Sequence, residues 1–240
     1  MNLDGIRALL FDKDGTIIDF AKTWTPINRE IALFAASGDQ SLANELLSMA
    51  GHDPATDSVT PGSPIAGAGL DELVDLMAQY LGPKRTPPNL MQNVVDISAR
   101  GCVTHSTLLP DARKTLLELS ARGYILGLAT NDTTAGIDAS LRNHDVLNLF
   151  AFTCAADSGH GAKPGPGMVQ VFSAKVGVPL AHVAVIGDSI HDLHMAKNAS
   201  AGCAIAVLSG TSGHDDLAPH ANLVLHSIAD LPDILPKRAP

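Results

Sequence analysis

Cysteine is scarce in this 240-residue chain: Cys102, Cys154 and Cys203 are odd in number, far apart and free of any C-x-x-C spacing. That pattern excludes a disulfide-stapled scaffold and a cysteine-based zinc or redox motif, and it fits a reducing, intracellular setting. Basic residues are also few. Lys and Arg total 16 against 25 Asp and Glu, a formal net charge of −9. No basic run could follow a phosphate backbone, so nucleic acid is not an expected partner. Long apolar runs are missing too, and none approaches the ~20 residues that a bilayer crossing requires. Asp4 and Arg7 precede a first apolar run that is short, unlike a secretory signal. The expectation is a cytoplasmic protein with no membrane partner, as a monomer or a homodimer.

What is present is ordinary globular material, 45% hydrophobic, enough for one large α/β domain or one domain with an insert. The first apolar run, Ala8 to Phe11, reads as a strand that stops at Asp12-Lys13-Asp14-Gly15. Between about Thr25 and His105 the periodicity becomes helical, with Ile31, Leu33, Phe34, Leu42, Leu46 and Leu47, then Leu70, Leu73, Val74, Leu76 and Met77. A stretch rich in Gly, Pro, Ser and Thr, from Gly51 to Gly69, divides these helices and reads as a flexible connection.

After His105, strand and helix alternate. Helices are expected near 111–122, 134–143, 166–176 and 190–199, and strands near 125–129, 152–155, 183–186, 204–208 and 223–225. Such alternation implies parallel strands with helices on both faces, and ligands at the carboxyl edge near a switch in strand order.

Four motifs follow predicted strands and so belong on that edge: DKDGT at 12–16, ATND at 129–132, AKPGP at 162–166 and GDSIHD at 187–192. A carboxylate such as Asp12 can attack phosphorus and divide a hydrolysis into two easier steps. Asp14, two residues on, can protonate a leaving alkoxide and later take a proton from water. Asp12, Asp14, Asp188 and Asp192 would bring up to four negative charges into one cleft, which calls for a compensating cation. Magnesium suits such oxygen donors.

In their order these motifs resemble the haloacid dehalogenase superfamily, whose phosphatases carry D-x-D-x-T, a Ser or Thr after the second core strand, a Lys and G-D-x-x-x-D. The resemblance implies a Rossmann-like parallel core, residues 1–20 and 106–240, with an inserted α-helical cap, residues 21–105. It implies Asp12 as nucleophile, Asp14 as acid/base, Thr130 and Lys163 as catalytic partners, and Thr16, in the turn that aims Asp14, as a substrate-binding residue. It assigns magnesium to the Asp12 carboxylate, the Asp14 carbonyl, Asp188 and Asp192, and a small phosphorylated metabolite to the cleft. Asn131 is expected on the phosphoryl group, and Arg29, where the chain enters the helical stretch, is a candidate clamp for a substrate carboxylate. The helical insert is similar to that of phosphoglycolate phosphatases.

Other readings fit less well. A calcium loop needs glycine sixth and glutamate twelfth, where this chain has glycine fourth and Thr23 twelfth. His191 and His194 lack a third ligand at zinc spacing. A dehalogenase lacks the acid at Asp14, and a phosphoglucomutase-like transferase commonly has Val where Thr16 stands. A non-catalytic binding module would not need Asp12, Asp14, Lys163 and Asp188 together. Lys13 departs from the usual apolar residue between the two aspartates, and strand geometry predicts that it points away from both.

Overall fold

The computed structural model describes residues 3–67 and 69–237. Six strands are present among them: β1 (Ala8–Phe11), β2 (Ile125–Ala129), β3 (Phe150–Cys154), β4 (Val183–Gly187), β5 (Cys203–Val207) and β6 (Leu223–Leu225). They form one wholly parallel sheet in the order β3-β2-β1-β4-β5-β6. Strands buried on both faces read as continuous apolar runs, as Ala8 to Phe11 and Val183 to Ile186 do. The order reverses between β1 and β4, so their carboxyl ends flank the crevice in which such sheets bind ligands.

The helices are α1 (Phe20–Ala35), α2 (Gln40–Met49), α3 (Pro64–Gly67), α4 (Leu70–Leu81), α5 (Leu90–His105), α6 (Ala112–Ala121), α7 (Thr134–Leu141), α8 (Gly167–Val176), α9 (Ile190–Asn198), α10 (His214–Leu217) and α11 (Leu231–Ile234). Alternate residues of β1 feed two cores. Leu9 and Phe11 pack with Leu116 and Leu119 of α6, Ile137 of α7 and Leu231 of α11. Ala8 and Leu10 face Phe172 of α8 and Leu193 of α9. No helix among the described residues is long and apolar enough to cross a membrane.

A third core is built from Trp24, Ile27 and Ile31 of α1, Leu46 of α2, Met77 of α4 and Val94 of α5, with Ala139 of α7 packed against it. Helix α1 starts where Asp19 accepts a hydrogen bond from the Lys22 amide, and Phe20, Trp24, Ile27 and Ile31 then recur on one face. The segments entering and leaving this stretch are bonded to each other: Asp19 N donates to Thr107 O (2.8 Å), Leu109 N to Ile17 O (2.9 Å) and Thr107 N to Thr23 Oγ1 (3.3 Å).

Two expectations change here. The described part of the 51–69 connection is tied down at several points. His52 is fully buried with Nε2 2.9 Å from Asp57 Oδ1, Thr60 N donates to Gly51 O, and the one-turn α3 closes the segment. Composition reads as turn locally, but these long-range bonds decide the conformation. Strand β3 also begins two residues earlier than expected, at Phe150, where a register shift against β2 occurs.

Candidate active site

Asp12 sits one residue beyond β1, where its amide still donates to Ile186 O (2.8 Å), so the ladder itself fixes the backbone that carries its carboxylate. Asp188 follows β4 directly. Asp192 lies in the first turn of α9, where Ser189 and Asp192 form a reciprocal cap: Ser189 Oγ donates to Asp192 Oδ2 (2.6 Å), as does the Ser189 amide (3.2 Å). The other oxygen, Asp192 Oδ1, accepts from Lys163 Nζ (2.6 Å), which also donates to Asp12 Oδ1 (2.5 Å). Lys163 therefore bridges nucleophile candidate and cap from a buried position.

Asp12, Asp188 and Asp192 are all buried, with oxygen atoms within 4.8 Å of one another. Burial raises the Asp12 carboxyl to about 7; Lys163 opposes this, while Asp192 and Asp14 add to it. Asp188 is raised well above the ordinary carboxylate range, first by burial and then by Asp12 and Asp192. Burial also works against charge on Lys163, yet Asp12 and Asp192 outweigh it and hold the ammonium above its usual range. One lysine thus faces three carboxylates, two of which resist ionisation, and this oxygen donor set fits a hard divalent cation.

Backbone geometry makes room for the set. Gly15 has φ +83°, and a Cβ there would lie 2.5 Å from Asp188 Oδ2. Thr211 N donates to the same oxygen at 3.1 Å.

Thr130 lies just past β2, where its amide donates to Cys154 O (3.0 Å); its Oγ1 accepts from Asp132 N (3.1 Å) and keeps its own proton free to donate. Asn131 lines the cleft, but its side chain is already engaged. Oδ1 accepts from Lys163 N (2.8 Å), and Nδ2 donates to Lys163 O (3.3 Å) and to Gly67 O of α3 (3.2 Å). It ties the lysine loop to the helical stretch, which leaves its backbone amide for an anion.

Asp14 also lines the cleft. Its Oδ1 accepts from Trp24 Nε1 (2.8 Å) and its Oδ2 pairs with Lys13 Nζ (2.9 Å). The expectation that Lys13 points away from both aspartates is therefore corrected for Asp14. Lys13 is fully buried behind the cleft, where its Nζ also meets Asp132 (2.8 Å) and Ser140 Oγ (3.1 Å). The loop after Asp12 leaves strand geometry, so alternation no longer governs its side chains.

Two other nominated residues lie elsewhere. Thr16 is fully buried with Oγ1 enclosed and unpartnered, outside the cleft wall. Arg29 donates to Asp57 Oδ1 through Nε (3.1 Å) and Nη2 (2.6 Å) and to Pro54 O (2.7 Å), so it anchors the 51–69 connection and does not line the cleft. The reading of the residues also passed over Asn28 and the α3 residues Ile65 and Gly67, all in the cleft wall. A polar Asn28 beside the apolar face of α1 was the available signal.

A wholly parallel α/β sheet whose switch point gathers three buried carboxylates and a bridging lysine defines an enzyme of the Rossmann-like hydrolase class. The model for the haloacid dehalogenase-like hydrolases matches residues 6–200, and the chain belongs to that family. It is similar to the phosphoglycolate phosphatase of Yersinia pseudotuberculosis serotype I, 26% identical over 229 residues that cover 94% of this chain and 91% of the relative. It is likewise similar to the phosphoglycolate phosphatase of Vibrio parahaemolyticus, 24% identical across 98% of each chain. Among solved structures it superposes on a predicted phosphoglycolate phosphatase from Haemophilus somnus 129pt, with TM-score 0.77, 20% identity, and 97% and 99% of the two chains covered. CbbY from Rhodobacter sphaeroides in complex with phosphate gives TM-score 0.65 at 22% identity over 94% and 96%.

Proposed function

We propose that the protein is a magnesium-dependent phosphatase that hydrolyses a small phosphomonoester through an aspartyl-phosphate on Asp12. The observation that carries this reading is the bridge from Lys163 to Asp12 and Asp192 at the strand-order switch, with Asp188 beside it. Membership of a hydrolase family and likeness to phosphoglycolate phosphatases support it.

Lys163 holds one Asp12 oxygen, which leaves the other to attack phosphorus as the bond to the leaving oxygen breaks. Asp14, protonated at the start of the cycle, gives its proton to that oxygen. In the second half Asp14 is ionised, the state in which Trp24 and Lys13 hold it, and it takes a proton from the water that attacks the aspartyl-phosphate. Inorganic phosphate leaves and Asp12 is restored. The Thr130 hydroxyl and the Asn131 amide donate to phosphoryl oxygens. Magnesium, held by Asp12, Asp188 and Asp192 with the Asp14 carbonyl, supplies positive charge that offsets these carboxylates and the phosphate. Residues 21–105 serve as a cap that encloses the leaving group, and the likeness to phosphoglycolate phosphatases makes phosphoglycolate one ester to assay.

The test is hydrolysis of p-nitrophenyl phosphate with and without magnesium by the wild type and Asp12→Asn. The variant should retain less than about a hundredth of the rate at unchanged circular dichroism. A larger residual rate rules out covalent catalysis at Asp12, and product analysis separates hydrolysis from transfer to a second metabolite.

A further inference from the structure

The wall of the cleft facing the catalytic carboxylates comes from the helical stretch, and its chemistry differs from theirs. Phe20 and Trp24 of α1, Ile65 of α3, and Leu70 and Leu73 of α4 supply an apolar surface. Lys163 is the one Lys or Arg among the described residues lining the cleft, and it is committed to Asp12 and Asp192. Lys13 lies behind the wall, balanced by Asp14 and Asp132. Arg29 is turned outward to Asp57 and Pro54. The N-terminus of α4, which could favour an anion, already carries Asp71 and Glu72 in its first turn. A carboxylate on the leaving group would meet Asp14 and Asp132 with no cation of its own.

Besides Asp132 Oδ2, which pairs with Lys13, two enclosed polar atoms among the described lining residues lack a partner: His191 Nδ1 on the carboxylate side, and Asn28 Nδ2 in this wall. Asn28 is 3% exposed, lines the cleft, and its carboxamide Nδ2 is enclosed with no hydrogen bond. An enclosed donor of this kind costs free energy unless an acceptor arrives. Asn28 stands one helical turn beyond Trp24 on α1, and Trp24 holds the Asp14 carboxylate. The acceptor therefore belongs about one helical turn along α1 from the indole that holds Asp14, removed from the oxygen that Asp14 protonates.

Resting on the phosphatase reading, we infer that the substrate is the phosphate ester of an uncharged, largely apolar alcohol bearing a remote hydroxyl, that Asn28 binds this hydroxyl, and that phosphoglycolate and other carboxylated esters are poor substrates.

The experiment compares kcat/KM for benzyl phosphate, 3-(hydroxymethyl)benzyl phosphate, 3-carboxybenzyl phosphate and 2-phosphoglycolate, with p-nitrophenyl phosphate as the reference. The aryl-methyl esters have nearly matched leaving groups, so differences among them report recognition. The hydroxymethyl ester should exceed benzyl phosphate by about five- to tenfold, the range of one added hydrogen bond, and both carboxylated compounds should fall at least about tenfold below it. In Asn28→Leu the hydroxymethyl-to-benzyl ratio should drop to about 1. In Asn28→Lys the carboxybenzyl-to-benzyl ratio should rise above the wild-type value. Ratios within each variant cancel any loss of folded protein. Hydrolysis of 3-carboxybenzyl phosphate or phosphoglycolate as fast as benzyl phosphate overturns the inference and leaves the phosphatase reading standing. So does a hydroxymethyl preference that persists in Asn28→Leu. No magnesium-dependent turnover of any compound, the reference included, sinks both.

Discussion

A lysine with no exposed surface holds Asp14 and Asp132 together from behind the cleft, with Ser140 as its third partner. Burial alone would favour a neutral amine, but Asp132 and Asp14 outweigh it and keep Lys13 charged above its usual range. Removing the cation would leave a carboxylate whose side chain is only 7% exposed without a counter-charge. Lys13→Met should therefore lower unfolding free energy by about 3–5 kcal/mol, read from urea denaturation. Lys13→Met combined with Asp132→Asn should recover more than half of that loss, because the more deeply buried of the two uncompensated charges is gone. A double variant no more stable than the single one would show that packing around the lysine stem, and not charge, sets the cost.

Helix α5 crosses α1 closely at Gly101, where a Cβ would lie 2.4 Å from Ile27 Cγ1. Alanine is the better helix former by about 1 kcal/mol, yet overpacking against a buried isoleucine costs about 1–3 kcal/mol. Gly101→Ala should be destabilising by up to about 2 kcal/mol in chemical denaturation, and a gain in stability would mean that the crossing relaxes easily. Elements of this kind differ in how far the sequence announces them. Strands β1, β2 and β6 were legible to the residue, because each is a short apolar run bounded by polar loops, doubly buried in β1 and β2 and half-buried at the edge in β6. The core motifs were legible because each follows such a strand. Helix α3 was not, since a single turn among glycines, prolines and serines has no periodicity, and it is held by bonds from Ile65 N to Ala50 O and from Asn131 Nδ2 to Gly67 O. Arg29 and Asn28 show the same limit: neighbours on one helix, they face opposite tasks, and only the packed bundle decides which one meets the cleft.

At the scale of the whole molecule the carboxylate cluster links folding to pH and metal. The Asp12 carboxyl, raised from 3.8 to about 7 mainly by burial, and Asp188, raised likewise, hold protons that the unfolded chain releases. The Asp12 contribution to stability is full below the unfolded value and is lost as pH climbs through about 7, and the Asp188 contribution is lost in the same direction as pH rises. If magnesium occupies this carboxylate cluster it binds the ionised form, so its effect should run the other way. A hundredfold excess over its dissociation constant adds about 2.7 kcal/mol, about 5–10 °C in Tm for a chain of this size. That rise should be large at pH 8 and small at pH 5.5 in a thermal melt, and an equal rise at both would place the ion elsewhere. The bonds joining residues 17–23 to 107–109 bear on a different property, the order of assembly. Ala8 of β1 must pair with Ile125 of β2, over a hundred residues later, before the sheet can close. If the helices condense first, their paired ends bring β1 and β2 together and cut the effective loop to about a quarter, which spares about 1 kcal/mol of closure entropy. The helical stretch would then be a folding nucleus for the sheet that it covers, and its amide protons should gain exchange protection earlier in refolding than those of β1.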